Sequence, residues 1–183
     1  MGKEYETQVL DVNPTEIAQK LRALGAREEK EHLQKRFVFD IKCLDHENSG
    51  WGEWVRLREA NGKTTITYKN KTGTAIDQTE EIEFTVSDFN KASELLSKLK
   101  CFTGKYYQEN KRHKFILDSI EFTLDTWPRI PTLLEIEAKS KEEVEKGLAL
   151  LGLTGKDIGH EGILRIYAKY GIDLHSFTKI KFE

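Results

Sequence analysis

The sequence predicts an α+β fold, an antiparallel sheet with helices packed against it, from three observations. Segments of strand length alternate apolar and polar residues at period two. They come in runs joined by tight-turn signals, which suit only antiparallel neighbours. Between the runs lie amphipathic stretches that open on helix-capping residues. Strands in runs with helices between them place the helices on the apolar side of the sheet.

Taken in order, "KEYETQV" sets Glu4, Glu6 and Gln8 against Tyr5, Thr7 and Val9, a strand with one acidic edge. In "NPTEIAQKLRALGA" Asn13 is the N-cap, Pro14 occupies the first helical position and Glu16 follows three residues after the cap. Ile17, Leu21 and Leu24 form its apolar stripe, and Gly25 stops it. Strands follow at residues 35–41, 53–59 and 64–70, the last two joined across Asn61-Gly62, and another at 77–86. Ser87 caps a helix whose buried side is Phe89, Ala92, Leu96 and Leu99. A hairpin turning at Asp118-Ser119 pairs Leu117 with Ile120, Phe115 with Phe122, Lys114 with Thr123 and Arg112 with Asp125. "TLLEIEA" adds a strand, "SKEEVEKGLALLG" opens a helix on Ser140 and Glu143 in capping-box spacing, and "HEGILRIYAKYG" is predicted as the last helix.

At 183 residues, 38% hydrophobic and 33% charged, with no Pro/Gly/Ser linker, the chain reads as a single domain over residues 1–183. Its 29 basic and 31 acidic side chains leave a net charge of -2, so no global field draws nucleic acid or an anionic membrane surface. No apolar run approaches the roughly 20 residues of a membrane span, and "MGKEYETQ" has no secretory pattern, so a cytoplasmic location is expected. Cys43 and Cys101 lack disulfide or zinc spacing and read as free buried thiols. His32, His46, His113, His160 and His175 show no ligand spacing, and surface or packing roles are expected of them. Trp51, Trp54 and Trp127 suit either a stacking platform for a base or an aromatic core.

Each strand presents one apolar and one polar parity. Val55 and Leu57 alternate with Trp54, Arg56 and Arg58; Ile66 and Tyr68 with Thr65, Thr67 and Lys69; Ile82, Phe84 and Val86 with Glu81, Glu83 and Thr85; Leu134 and Ile136 with Glu135 and Glu137. The polar parity collects the acids Glu4, Glu6, Glu81, Glu83, Asp125, Glu135 and Glu137 and the bases Arg56, Arg58, Lys69, Arg112 and Lys114. An open sheet with its charged face in water is one reading. The rows together favour another: about eight strands close into a barrel, helices cover the greasy outside, and the charges line the lumen. Carboxylates there suit Mg2+ or Mn2+, while guanidinium and ammonium groups suit phosphate oxygens.

These residues resemble the CYTH superfamily, the triphosphate tunnel metalloenzymes that include class IV adenylyl cyclases, thiamine triphosphatases and inorganic triphosphatases. The resemblance runs from "EYETQ" through "VRLR", "TYK", "TEEIEF" and "KRHKF" to "LDTWPRIPTLLEIE", about residues 4–151. It implies an eight-stranded antiparallel β-barrel, the triphosphate tunnel, with Glu4, Glu6, Glu135 and Glu137 as metal ligands and Asp125, Glu81 and Glu83 assisting. It implies Arg56, Arg58, Lys69, Arg112 and Lys114 as substrate-binding cations, and Glu4, Glu6, Gln8, Lys69 and Lys114 as catalytic positions. The implied chemistry is attack on phosphorus beside a bound metal, by water in a triphosphatase or by a ribose 3′-hydroxyl in an adenylyl cyclase. The expected partner is a small-molecule triphosphate or nucleotide, with no nucleic acid or membrane, and the expected assembly is a monomer or homodimer. The chain departs from the family pattern at Gln8, Thr79 and Asn110, where members carry cations. The expected function is that of a divalent-metal-dependent phosphohydrolase of triphosphate-containing substrates, with a class IV adenylyl cyclase as the alternative and a catalytically weak polyphosphate- or nucleotide-binding module as a further one.

Overall fold

The computed structural model describes residues 5–41, 52–71 and 79–183, with residues 71 and 79 described by backbone alone. Glu4, Cys43, His46 and Trp51 lie outside the described residues, as does the side chain of Thr79. The elements are β1 (Tyr5–Val9), α1 (Pro14–Ala23), β2 (Arg27–Glu28), β3 (His32–Asp40), β4 (Gly52–Ala60), β5 (Lys63–Lys71), β6 (Thr79–Val86) and α2 (Phe89–Lys98). After them come β7 (Gly104–Leu117), β8 (Ile120–Thr126), β9 (Leu133–Ala138), α3 (Lys141–Leu151), α4 (Ile163–Lys169), a 3-10 turn (Leu174–Ser176) and β10 (Lys179–Ile180). The chain forms two compact units, Met1–His32 with Asn110–Ile166, and Leu33–Glu109 with Tyr167–Glu183.

In the first unit the strand order is β1-β9-β8-β7, with β2 added antiparallel to β7. The Asp118-Ser119 turn sets the β7–β8 register, and the pairs Leu117–Ile120, Phe115–Phe122, Lys114–Thr123 and Arg112–Asp125 all form. Asp118 takes φ +53°, the left-handed region that a short polar side chain tolerates. The apolar parity of these strands, Val9, Phe115, Ile120, Phe122, Leu124, Leu134 and Ile136, packs with Ile17 and Leu21 of α1 and with Val144, Leu148 and Leu151 of α3. Asn13 caps α1 by accepting from Thr15 N and Glu16 N, and its amide donates to Glu16 Oε1 at 3.1 Å. Ser140 caps α3 and Gly152, at φ +71°, ends it. Gly147 sits where α3 meets the sheet, so near that a Cβ there would lie 2.9 Å from Cγ2 of Ile136.

In the second unit the order is β7-β3-β4-β5-β6, and β10 pairs parallel to β7 through Lys179 with Tyr107 and Ile180 with Gln108. Asn61 and Gly62 turn the β4–β5 hairpin, both at positive φ, as the tightest right-twisted hairpins require. Phe39, Leu57, Phe89 and Leu96 form the core, with Phe37, Val55, Ile66, Val86, Ala92 and Phe102 against it.

The architecture is α+β with an antiparallel sheet as expected, and several particulars differ. Along the hydrogen-bonded order β1 and β6 are the end strands, and among the described residues no ladder joins them, so hydrogen bonding does not close the predicted barrel. The greasy face is not covered everywhere: Ile82 and Phe84 on β6 are 55% and 56% exposed. Asp88, not Ser87, caps α2, because its carboxylate reaches Lys91 N. Cys101 is exposed rather than buried. Trp127 is buried, a core position. β7 begins at Gly104, well before the predicted hairpin strand, and its early polar parity holds the buried amides Gln108 and Asn110 rather than charges. The last helix starts at Ile163 rather than near His160, and the cause lies in the functional site.

Candidate functional site

The polar parity of the first unit is not a solvated surface, because Gln8, Asn110, Thr123 and Asp125 on it are all at most 5% exposed. Register stacks the side chains in rows across the strands. One row holds Glu6, Glu137 and Glu121; the next holds Gln8, Glu135, Thr123 and Lys114; a third holds Asp125 beside Arg112. Three carboxylates in one row repel one another unless a cation stands near. Lys114 supplies one to Glu121, diagonally, at 2.7 Å. Glu121 was missed at the sequence level although it shares the parity of Asp125.

Asp125 is fully engaged. Arg112 grips both its oxygens, Nε to Oδ1 at 3.0 Å and Nη2 to Oδ2, and Asn110 donates to Oδ1 at 2.8 Å. Burial works against the Arg112 charge, but the hydrogen bond and charge of Asp125, with Glu135 and Glu121 nearby, raise its pKa further above the ordinary value. Asn110 therefore stands in the site as a neutral donor to a carboxylate that Arg112 already neutralises.

Gln8 has a comparable place. Its amide donates to Glu135 Oε2 at 3.3 Å and accepts from Glu161 N at 2.9 Å. Its backbone donates to Gly159 O at 3.0 Å and accepts from Ile158 N at 2.9 Å, while Thr7 Oγ1 donates to Asp157 Oδ2 at 2.9 Å. Segment 157–161 is thus pinned along β1, with Gly159 at φ +71° making its turn. Backbone groups committed to Gln8 cannot enter a helix, which delays α4 until Gly162 O accepts from Arg165 N and Ile166 N. The segment carries His160, whose Nδ1 lies 3.0 Å from Glu6 Oε1. Glu6, Glu135 and His160 present ligand atoms all within 4.8 Å of one another. Two carboxylates and an imidazole are donors a divalent cation accepts, so the residues fit a metal. Glu137, on the same face, is not in that trio.

The second unit carries the other predicted cations. Arg56, Thr67 and Glu83 share one row, and Trp54, Lys69 and Glu81 another. Thr67 Oγ1 donates to Glu83 Oε2 at 2.6 Å, and Lys69 Nζ is 2.8 Å from Glu81 Oε2. Arg56 and Arg58 share Glu83 at 3.7 and 3.9 Å, ion pairs without hydrogen-bond contact. The bond from Thr67 lowers the Glu83 pKa; partial burial opposes this, and Arg58, Arg56 and Lys63 add to the lowering. Arg36, which the charged parity rows of the sequence did not include, faces Arg58 directly across the β3–β4 ladder. Its signal was legible: in "LQKRFVF" Arg36 has the parity opposite Phe37 and Phe39.

Comparison with known proteins supplies the family. No curated protein matches the chain. Among solved structures, PH1012 of Pyrococcus horikoshii OT3 is similar at 25% identity, over 85% of this chain and 93% of that one, with a TM-score of 0.67. A candidate adenylate cyclase of Vibrio parahaemolyticus shares the fold at 15% identity, over 92% and 99% of the two chains, with a TM-score of 0.66. HpAC1 of Hippeastrum, a candidate adenylyl cyclase described as having a dominant triphosphatase activity, shares it at 20% identity, over 93% and 96%, with a TM-score of 0.58. The family model of the CYTH domain matches residues 2–151, from the acidic strand β1 through α3, and the chain therefore belongs to the CYTH domain family.

Proposed function

We propose that the protein is a divalent-metal-dependent phosphohydrolase acting on triphosphate-containing substrates, inorganic triphosphate or a nucleoside or thiamine triphosphate, with Mg2+ or Mn2+ as the cation. The observation that carries this reading is the arginine group of the second unit, Arg36 directly opposite Arg58 and Arg56 beside it, with Glu83 shared between Arg56 and Arg58. Like charges opposed across a ladder are destabilising. A polyanion relieves that repulsion, and guanidinium forks match phosphoryl oxygens in bidentate pairs.

On this reading Arg56, Arg58 and Lys69 bind phosphoryl oxygens, and Glu81 and Glu83 keep those cations oriented before substrate arrives. Glu6 and Glu135 hold the cation, while Gln8 and Arg112 orient Glu135 from either side, at 3.3 and 3.6 Å. A bound divalent cation supplies Lewis acidity toward a phosphoryl oxygen and the attacking water. Asp125 keeps Arg112 aligned toward Glu135, and Lys114 offsets the acidic row through Glu121. A small, freely diffusing triphosphate agrees with a cytoplasmic place of action.

The test is to incubate pure protein with ATP, thiamine triphosphate and inorganic triphosphate, with Mg2+ or Mn2+, and to resolve the products. Release of orthophosphate, lost in Arg58→Ala, is the expected result. A second reading, an adenylyl cyclase, follows from the likeness to candidate cyclases, and cyclic AMP with pyrophosphate would select it. Binding without turnover would instead identify a catalytically weak nucleotide-binding module.

A further inference from the structure

We propose that His160 is a nitrogen ligand of the cation held by Glu6 and Glu135, and that the site therefore prefers Mn2+, Co2+ or Zn2+ to Mg2+. The inference rests on the metal-dependent reading above and adds to it a ligand from outside the family-matched span, which ends at residue 151. Ligand atoms about 2.1 Å from one cation lie roughly 3–4 Å from one another. Nδ1 of His160 is 3.0 Å from Glu6 Oε1, inside that range, and the three donor atoms fall within 4.8 Å, so the widest pair needs to close by about 1 Å at most around a cation.

The position is built by the chain. Segment 157–161 is fastened to β1 by the bonds from Thr7 to Asp157, between the Gln8 backbone and Ile158 and Gly159, and from Glu161 N to the Gln8 side chain. Gln8 bonds Glu135 with the other end of the same amide, so one side chain sets both a carboxylate ligand and the backbone that carries the imidazole. The His160 and Glu6 side chains are 46% and 35% exposed, open to a cation from solution. Imidazole suits borderline transition metals, whereas Mg2+ takes hard oxygen donors and keeps its waters.

Calorimetry with metal ions alone, on the untagged full chain, tests the proposal with wild type, His160→Ala, His160→Gln and Glu135→Gln. His160→Ala should weaken Co2+ and Zn2+ binding by at least about tenfold and Mg2+ binding by less than about threefold. Pulsed electron paramagnetic resonance of the Mn2+-loaded wild type should show imidazole nitrogen coupling that is lost in His160→Gln. If Glu135→Gln weakens every metal while both His160 variants leave selectivity and nitrogen coupling unchanged, His160 is only an ion-pair partner of Glu6, and the proposal falls while the carboxylate site stands. If Glu135→Gln also changes nothing, the carboxylate site falls with it. A melting temperature kept within a few degrees in each variant confirms that folded protein is being compared.

Discussion

Gln8 shows how one residue takes on a role that its position in a motif does not disclose. The sequence sets it one strand repeat beyond Glu6, at an implied catalytic position where the family pattern has a cation. In the folded chain the amide is buried and used at both ends, by Glu135 and by Glu161 N. Gln8→Leu keeps the size and removes both bonds, leaving the Glu161 amide without its acceptor, so a loss of about 1–2 kcal/mol is expected. Urea denaturation gives that loss, and hydrogen exchange should show faster exchange at Glu161; unchanged exchange there would show that the side chain does not hold the segment. A second residue sets an acid limit. The bidentate hydrogen bonds from Arg22 pull the Glu28 pKa down to about 2, against the opposing effect of desolvation and with help from His113. A lowered folded-state pKa stabilises above the unfolded value, and the contribution is lost as pH falls toward the folded one. Stability lost between about pH 4.5 and 2 should therefore be smaller in Glu28→Gln than in wild type, read from urea midpoints across that range.

At the scale of elements, local chemistry and packing were unequally legible. The hairpins at Asn61-Gly62 and Asp118-Ser119 and the caps Asn13 and Ser140 are short-range features, written in adjacent residues, and they form as read. The start of α4 was not legible, because the bonds that hold residues 158–161 out of the helix come from Gln8, some 150 residues away in sequence. α3 gives the element-scale prediction. Gly147 lies mid-helix, where Ala is intrinsically better by about 1 kcal/mol. Here the added methyl would meet Ile136 at 2.9 Å and Ile120 and Phe122 at 3.3 Å, all fully buried side chains. Gly147→Ala should thus destabilise by about 1–2 kcal/mol net, seen as a lower urea midpoint; a stabilised variant would mean that the helix can lift from the sheet at little cost.

For the whole molecule, ligand linkage is the measurable consequence of the proposed function. A triphosphate that binds only the folded chain, supplied at about a hundred times its Kd, adds about 2.7 kcal/mol. For a chain of 183 residues that is a melting-temperature rise of roughly 5–10 °C. The rise should need Mn2+ or Mg2+ for its full size and should shrink in Arg56→Ala; an equal rise without metal would separate phosphate binding from the cation site. The sequence by itself determined the fold class, the family and the charged parity, because period-two patterning, turn residues and caps act between near neighbours and are repeated on every strand. It also named Glu6, Glu135, Arg56, Arg58 and Arg112 as candidate site residues. Only the tertiary structure decided which of those charges are engaged: Asp125 clasped by Arg112 and Asn110, Gln8 turned into a strut, Arg36 brought opposite Arg58, and His160 carried to Glu6. Each of these depends on which strand or segment becomes a neighbour and in what register, and long-range pairing is a property of the folded chain that no single stretch of sequence contains.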